Sequence, residues 1–299
     1  MSNSHVDVLC VGHACFDLIL SVDEHLGADE KGYATDFSEC GGGPAATAAV
    51  AISRLGLTAS FAGYLGTDHY GEWHLEELEK EQVNTQCVVR GKQPTPFSVV
   101  LVKPNGQRMS VNYRGQTHPL SISDLDLTRC QAKVILFDGH EPNVSMPLAK
   151  HAKANGIPMV LDAGSVHRGT SELIHDVDYL VASEKFAQQY TEEADDWDAL
   201  RILAEIAPHV VITLGDRGLI WKTPDGEGEM GAFKVQVLDT NGAGDAFHGA
   251  FAAGLALGYE WEKLLRFSSA VAAMNCMHMG GRVGLPTMEA VNEFIELKE

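Results

Sequence analysis

The stretch Asp239–Phe251, DTNGAGDAFHGAF, sets Gly242 and Gly244 between two carboxylates and runs directly into an alanine-rich apolar segment. We read FKVQVLDT as a strand end, NGAG as a turn, and DAFHGAFAAGLALG as a helix with small residues on its packing face. The first amides of a helix have no intrahelical acceptor. Those of Gly242, Ala243 and Gly244 therefore form an anion site at the positive end of the helix dipole. Asp245 falls in the first turn, beside any anion held there. Two roles stand open to it: a carboxylate that complements the dipole, or a base that takes a proton from a hydroxyl attacking a phosphoryl group.

Outward from this stretch, VDVLCVG, KVILFDG, IPMVLDAG, DYLVAS and HVVITLG are short apolar runs ending in Gly, Ser or Asp, the pattern of strands buried on both faces. Helical segments such as YGEWHLEELEKEQ and VSMPLAKHAKANG alternate with them. This predicts an α/β fold in three layers, helices covering both faces of a mostly parallel sheet, with ligands at the carboxyl ends of the strands. Two stretches, about 14–40 and 96–116, break the rhythm. The second holds FSVVLVKPNGQRMSVNY, a hairpin with Asn105-Gly106 at its turn. Together they predict a small β-sheet lid inserted into one domain spanning 1–299.

A second glycine-rich helix start, GGGPAATAAVAISRLG, has Pro44 at the first helical position behind three bare glycines. Those glycines either admit a ligand close to the backbone or simply permit a sharp turn. The acidic run TEEADDWDAL reads as a helix N-terminus without a metal.

Composition narrows the partners. A net charge of −19 over 299 residues, with 45% hydrophobic content, fits a folded domain and excludes broad nucleic-acid or anionic-membrane binding. Six scattered cysteines without a CxxC pair read as reduced, buried thiols. VDVLCVGHACFDLIL lacks a basic leader, and no apolar run reaches membrane-spanning length, so a cytoplasmic protein is expected. A dinucleotide-binding dehydrogenase would carry GxGxxG where VGHACFD stands, and no GxxxxGK[ST] loop occurs.

Asp17 just past the first strand, the early glycine-rich helix start, TLGDRG at a late strand end and DTNGAGDAF before a late helix, in that order along nearly the whole chain, resemble the ribokinase-like (pfkB-type) carbohydrate kinases. The resemblance implies phosphoryl transfer from ATP with Mg2+ to a sugar or related alcohol. Asp245 would be the general base, and the amides of Gly242, Ala243 and Gly244 would stabilise the phosphoryl charge. Asp17, Gly42 and Gly43 match the family's substrate-binding positions. Thr47 stands where many members carry an asparagine that contacts the sugar. For the nucleotide, the resemblance implies Thr213, Gly215, Gly218, Gly242 and Gly244, with Asn275 and Gly281 closing the adenine side. Ser183 and Glu184 stand near the family's Asn-x-x-Glu motif, which is not intact here. Glu184 is its candidate for a water-mediated Mg2+ contact, and Asp239, near Asn241, for a monovalent cation such as K+. A homodimer through the lid strands is also implied.

GGGPAATAAVA and GGRVGLP look most similar to the sulfofructose and fructose-type kinases of that family. Lys31 and Asn112 would project from the lid toward the substrate, Lys31 pairing with an anionic group. His140, ending ILFDGH, occupies a strand-end position from which it reaches the sugar. A sulfosugar kinase is expected to place arginine there, which leaves a neutral ketose or another polyol open. A nucleoside kinase of the same family and a non-catalytic sugar-binding relative are the alternatives. Retention of Asp245 with its glycines speaks against the latter.

Overall fold

The strand Val6–Val11 (β1) is buried completely from Val8 to Val11, and its side chains divide between two cores. Val8 and Cys10 face one, Leu9 and Val11 the other, as the two-residue period of a strand requires. A strand with no solvated face can only sit inside a covered sheet. The computed structural model describes residues 5–115, 119–126 and 131–298. Among them β1 lies within a nine-stranded sheet.

On one side of β1 come Ala59–Gly66 (β4) and Asn84–Gly91 (β5). On the other come Ala132–Phe137 (β8), Met159–Ala163 (β9), Tyr179–Ser183 (β10) and His209–Thr213 (β11), all parallel to their neighbours. Leu219–Thr223 (β12) and Gly226–Met230 (β13) extend that edge antiparallel. Pro44–Arg54 (α1), Ala243–Ala256 (α7) and Trp261–Asn275 (α8) cover one face. Pro142–Asn155 (α3), Glu184–Thr191 (α5) and Asp196–Ala204 (α6) cover the other. His69–Lys80 (α2), Arg168–Leu173 (α4) and Met288–Leu297 (α9) complete the helices. No helix of the described residues is long and apolar enough to cross a membrane.

Cys15–Ser21 (β2), Asp36–Gly42 (β3), Phe97–Val102 (β6) and Arg108–Tyr113 (β7) form a separate sheet in the order β3-β2-β6-β7. β6 and β7 turn at Asn105-Gly106, where Gly106 takes φ 78°. Gln116, at the end of the second expected lid stretch, lies outside the described residues. So does Cys130; the other cysteines form no disulfide among the described residues.

One local expectation fails. Phe233–Leu238 is not a strand; the segment leaves the sheet edge, and the amides of Leu238 and Asp239 donate to the Cys276 carbonyl behind α8. Its last amides are taken by a helix end rather than by a neighbouring strand.

The strand ends of β1 and β8 are locked by one carboxylate. Buried Asp138 accepts from the amides of His13 at 2.7 Å, His140 at 2.8 Å and Ala45, in the first turn of α1, at 3.2 Å. Asp138→Ala strands three donors, each worth roughly 1–3 kcal/mol when buried unpaired. Urea denaturation is expected to register a loss of about 3 kcal/mol or more. A loss below about 1 kcal/mol would mean that water replaces the carboxylate.

Candidate active site

The anion site begins at a turn only glycine fits. Gly242 has φ 70°, and a β-carbon there would lie 2.4 Å from the Gly281 carbonyl oxygen. Asp239 is fully buried, one carboxylate oxygen accepting from the Asn241 amide at 2.8 Å and the other from the Gly280 amide at 2.9 Å. The Asn275 side chain donates to the carbonyls of Asn241 at 3.1 Å and Gly281 at 3.2 Å. With the loop held this way, the Ala243 amide lies 3.3 Å from the Thr240 carbonyl. Those of Gly242, Gly244 and Asp245 donate to no protein acceptor among the described residues. They remain for a ligand.

Asp245, the third residue of α7, keeps part of its surface open. Desolvation first, and the neighbouring Asp162 carboxyl second, push its pKa up to about 7. Asp162, at the end of β9, faces His248 of α7 at 3.2 Å. His248 Nε2 lies 3.1 Å from the Val181 carbonyl, which can only accept, so that nitrogen carries the hydrogen. Nδ1 then presents a lone pair toward Asp162 without a hydrogen bond between them. Burial raises the Asp162 pKa well above the usual range and lowers that of His248.

Across the crevice, buried Asp17 on β2 accepts from Ser98 Oγ at 2.9 Å and from the Cys15 thiol at 3.1 Å. Asn241 Nδ2 approaches its other oxygen at 3.5 Å. Gly42 clears the space for that carboxylate, since a β-carbon there would stand 2.2 Å from Asp17 Oδ2. Gly43 takes φ 91° immediately before α1. Thr47, buried in α1, accepts from Arg282 Nε at 3.1 Å. Asn112 pairs across the strands with Ser98 and so shares the face of Asp17. From the same face Arg108 Nη1 donates to Asn241 Oδ1, a contact between β7 and the anion loop. Lys31 is exposed between β2 and β3, without an ion pair among the described residues.

His140 sits in a histidine cluster. Its ring stacks on His167 with centroids 4.5 Å apart and lies 5.2 Å from that of His13. Its Nδ1 is 3.3 Å from Arg114 Nη2, and a guanidinium only donates, so Nδ1 is the unprotonated nitrogen. Burial lowers the pKa of all three imidazoles, His13 to about 3 and His167 to about 4.

Next to the anion amides lies a cleft of about 310 Å³. Thr213, Gly215 and Gly218 form one wall, and Ala232–Val237 and Ala272–Cys276 the apolar sides, with Ala243 and Gly244 at the closed end. An apolar slot leading to unpaired amides fits a purine with its phosphates at the amide end. Gly242, Ser183 and Asn275 do not line it. Ser183 caps α5, accepting from the Phe186 amide at 3.0 Å, and Glu184 pairs with Arg217 at 2.8 Å. No group of three or more metal-ligating side chains exists among the described residues. A Mg2+ ion would therefore take most of its ligands from phosphates and water, as that ion commonly does.

Sequence reasoning did not single out Asp138, Asp162, His248, Arg108 or Arg282. Asp138 and Asp162 carry the same signal as Asp17, an acid at a strand end. Arg282 is one cation among 22 lysines and arginines, and nothing in its neighbours announces its burial.

The pfkB family carbohydrate kinase model matches residues 6–288. Ribokinase of Bacillus subtilis (strain 168) is 27% identical over 97% of this chain and 99% of its own length. Fructokinase-2 of Oryza sativa subsp. japonica is 28% identical over 87% and 86%. The crystal structure of a putative ribokinase from Agrobacterium tumefaciens superposes with a TM-score of 0.89 at 27% identity, covering 98% of each chain.

The raised pKa of Asp245 has a consequence for stability. An unfolded aspartate ionises near 3.9, the folded one near 7, so wild-type stability falls as pH rises between those values. Asp245→Asn does not titrate. Its melting temperature relative to wild type is expected to be several degrees more favourable at pH 8 than at pH 4, roughly 2–6 °C by scanning fluorimetry. The opposite trend would show that the carboxylate is stabilised in the fold.

Proposed function

The chain belongs to the pfkB family of carbohydrate kinases, and on that premise we propose that it transfers the terminal phosphoryl group of ATP to a hydroxyl of a sugar, of the ketose or hexose type. The observation that carries this reading is the juxtaposition of Asp245, its pKa raised to about 7, with the unpaired amides at the start of α7. A hydroxyl held by Asp17 and the Gly42-Gly43 backbone would give its proton to Asp245 as it attacks. Amides fixed before the reaction stabilise the charge of the transferring group without reorganising. Mg2+, bound with the nucleotide, would neutralise charge on the phosphates. Burial of Asp239 with both oxygens committed to the loop supports a structural role, and a K+ ion near Asp239 and Asn241 would add to it.

The small sheet is proposed as the lid. Its inner face carries Asp17, Ser98 and Asn112, which suits a cover over the acceptor. Its outer face carries Leu18, Leu20, Val99, Met109, Val111 and Tyr113 in register, with Val111 68% and Tyr113 51% exposed. A second copy of the chain is the proposed cover for that face. Val111→Glu is then expected to halve the mass measured by light scattering at assay concentration. A monomeric wild type would remove the dimer.

For the acceptor, Lys31 and the His140 cluster are proposed as the determinants of which sugar is taken. Sulfofructose and fructose stand as candidates beside nucleosides and other polyols. A coupled ADP-release screen over hexoses, ketoses, pentoses, nucleosides and their sulfonated or phosphorylated forms tests the reading. No sugar-dependent ADP release would favour a non-catalytic relative. With the sugar found, kcat is expected to rise with pH through about 7 as Asp245 ionises. Asp245→Asn is expected to lower kcat by about 10³-fold or more with nucleotide affinity retained. Wild-type turnover in this variant would end the base assignment.

A further inference from the structure

Arg282 is 2% exposed, yet each nitrogen of its guanidinium has a partner at the root of the small sheet. Nε donates to Thr47 Oγ1 at 3.1 Å, Nη1 to Glu77 Oε2 at 2.7 Å, and Nη2 to the Gly42 carbonyl at 3.1 Å and to His74 Nε2 at 2.9 Å. Glu77 Oε2 also accepts from the Gly41 amide at 2.9 Å. The end of β3 is therefore held by its amide at Gly41 and by its carbonyl at Gly42. Close approach demands glycine here. A β-carbon on Gly41 would lie 2.0 Å from Glu77 Oε2 and 2.2 Å from Arg282 Nη1.

The backbone that carries Arg282 is part of the anion loop. Gly280 donates to Asp239, and Gly281 accepts from Asn275 while standing directly over Gly242. On the far side, Arg54 at the end of α1 donates to the carbonyls of Arg282 at 2.8 Å and Leu285 at 3.1 Å. Two consecutive glycines thus touch the anion loop through their backbone, and the next residue touches the acceptor floor through one rigid, forked side chain. Lysine, a single point donor, cannot reproduce that fork.

We propose that Arg282 is a positioning residue that couples the two substrate sites, so that ordering of the loop at Gly242 by a nucleotide tightens the Gly41–Gly43 floor beneath Asp17. This rests on the reading of the cleft at Thr213–Gly218 as the nucleotide site. Binding at one site then raises affinity at the other, and the coupling is reciprocal.

Hydrogen–deuterium exchange on the full chain, with and without Mg2+ and the non-hydrolysable analogue AMP-PNP, tests the proposal without an acceptor. In wild type the analogue is expected to slow exchange at residues 213–218 and 240–247 and, across the crevice, at residues 36–43 by about tenfold. In Arg282→Lys the protection of 213–218 remains and that of 36–43 is lost. Glu77→Gln keeps an oxygen for Gly41 and Arg282 and is expected to retain the coupling. Protection at 213–218 with none at 36–43 in wild type overturns the proposal alone, with no variant needed. Retained protection of 36–43 in folded Arg282→Lys overturns it as well. Absence of protection at 213–218 in wild type removes the nucleotide site, and this inference falls with it.

Discussion

The site depends on a single constraint at the entry to α7: the chain must turn through Gly242 in a left-handed conformation beneath the Gly281 carbonyl. Asp239 satisfies the amides of Asn241 and Gly280, and Asn275 satisfies the carbonyls of Asn241 and Gly281. The loop's own polar groups are thereby paired internally, and the amides at the helix start are left over. Gly242 is buried and Gly244 stands exposed, so the helix start is open to an incoming anion. The same turn aims Asp245 into the crevice rather than along the helix surface.

A chain of charge −19 binding a polyanion must concentrate its positive potential locally. Backbone amides and a helix terminus do this without adding lysines. The carboxylates nearby serve a different end. Desolvated surroundings, and the Asp162 carboxyl beside it, raise the pKa of Asp245 to about 7. Asp17, opposite, is held by neutral hydroxyl, thiol and amide donors. Environment alone separates the roles of carboxylates within one crevice.

Much of this was legible in the residues. The buried strands announced themselves as apolar runs ending in Gly or Asp, and Gly242, Gly244 and Asp245 as a helix start with exposed amides. Phe233–Leu238 misled because Phe233, Val235 and Val237 line a cleft wall, and the Leu238 amide is taken by the end of α8. Asp138 could have been suspected from its strand-end position, but its three amide donors come from three separate segments of the chain. No local pattern encodes that convergence. Lys31, a natural candidate from its charge, remains exposed, while the cation buried against Gly42 is Arg282, some 250 residues from it in sequence.

By itself the sequence determined the covered parallel sheet and the glycine-rich helix start at Gly242 and Gly244, because strand period, helix caps and glycine conformations are local properties of the chain. Only the tertiary structure decided which acids are desolvated, which cation is buried, and how the Gly41–Gly43 segment is tied to the Gly242 loop. Those follow from desolvation and from hydrogen bonds between residues far apart along the chain, and neither exists until the strands and helices have packed.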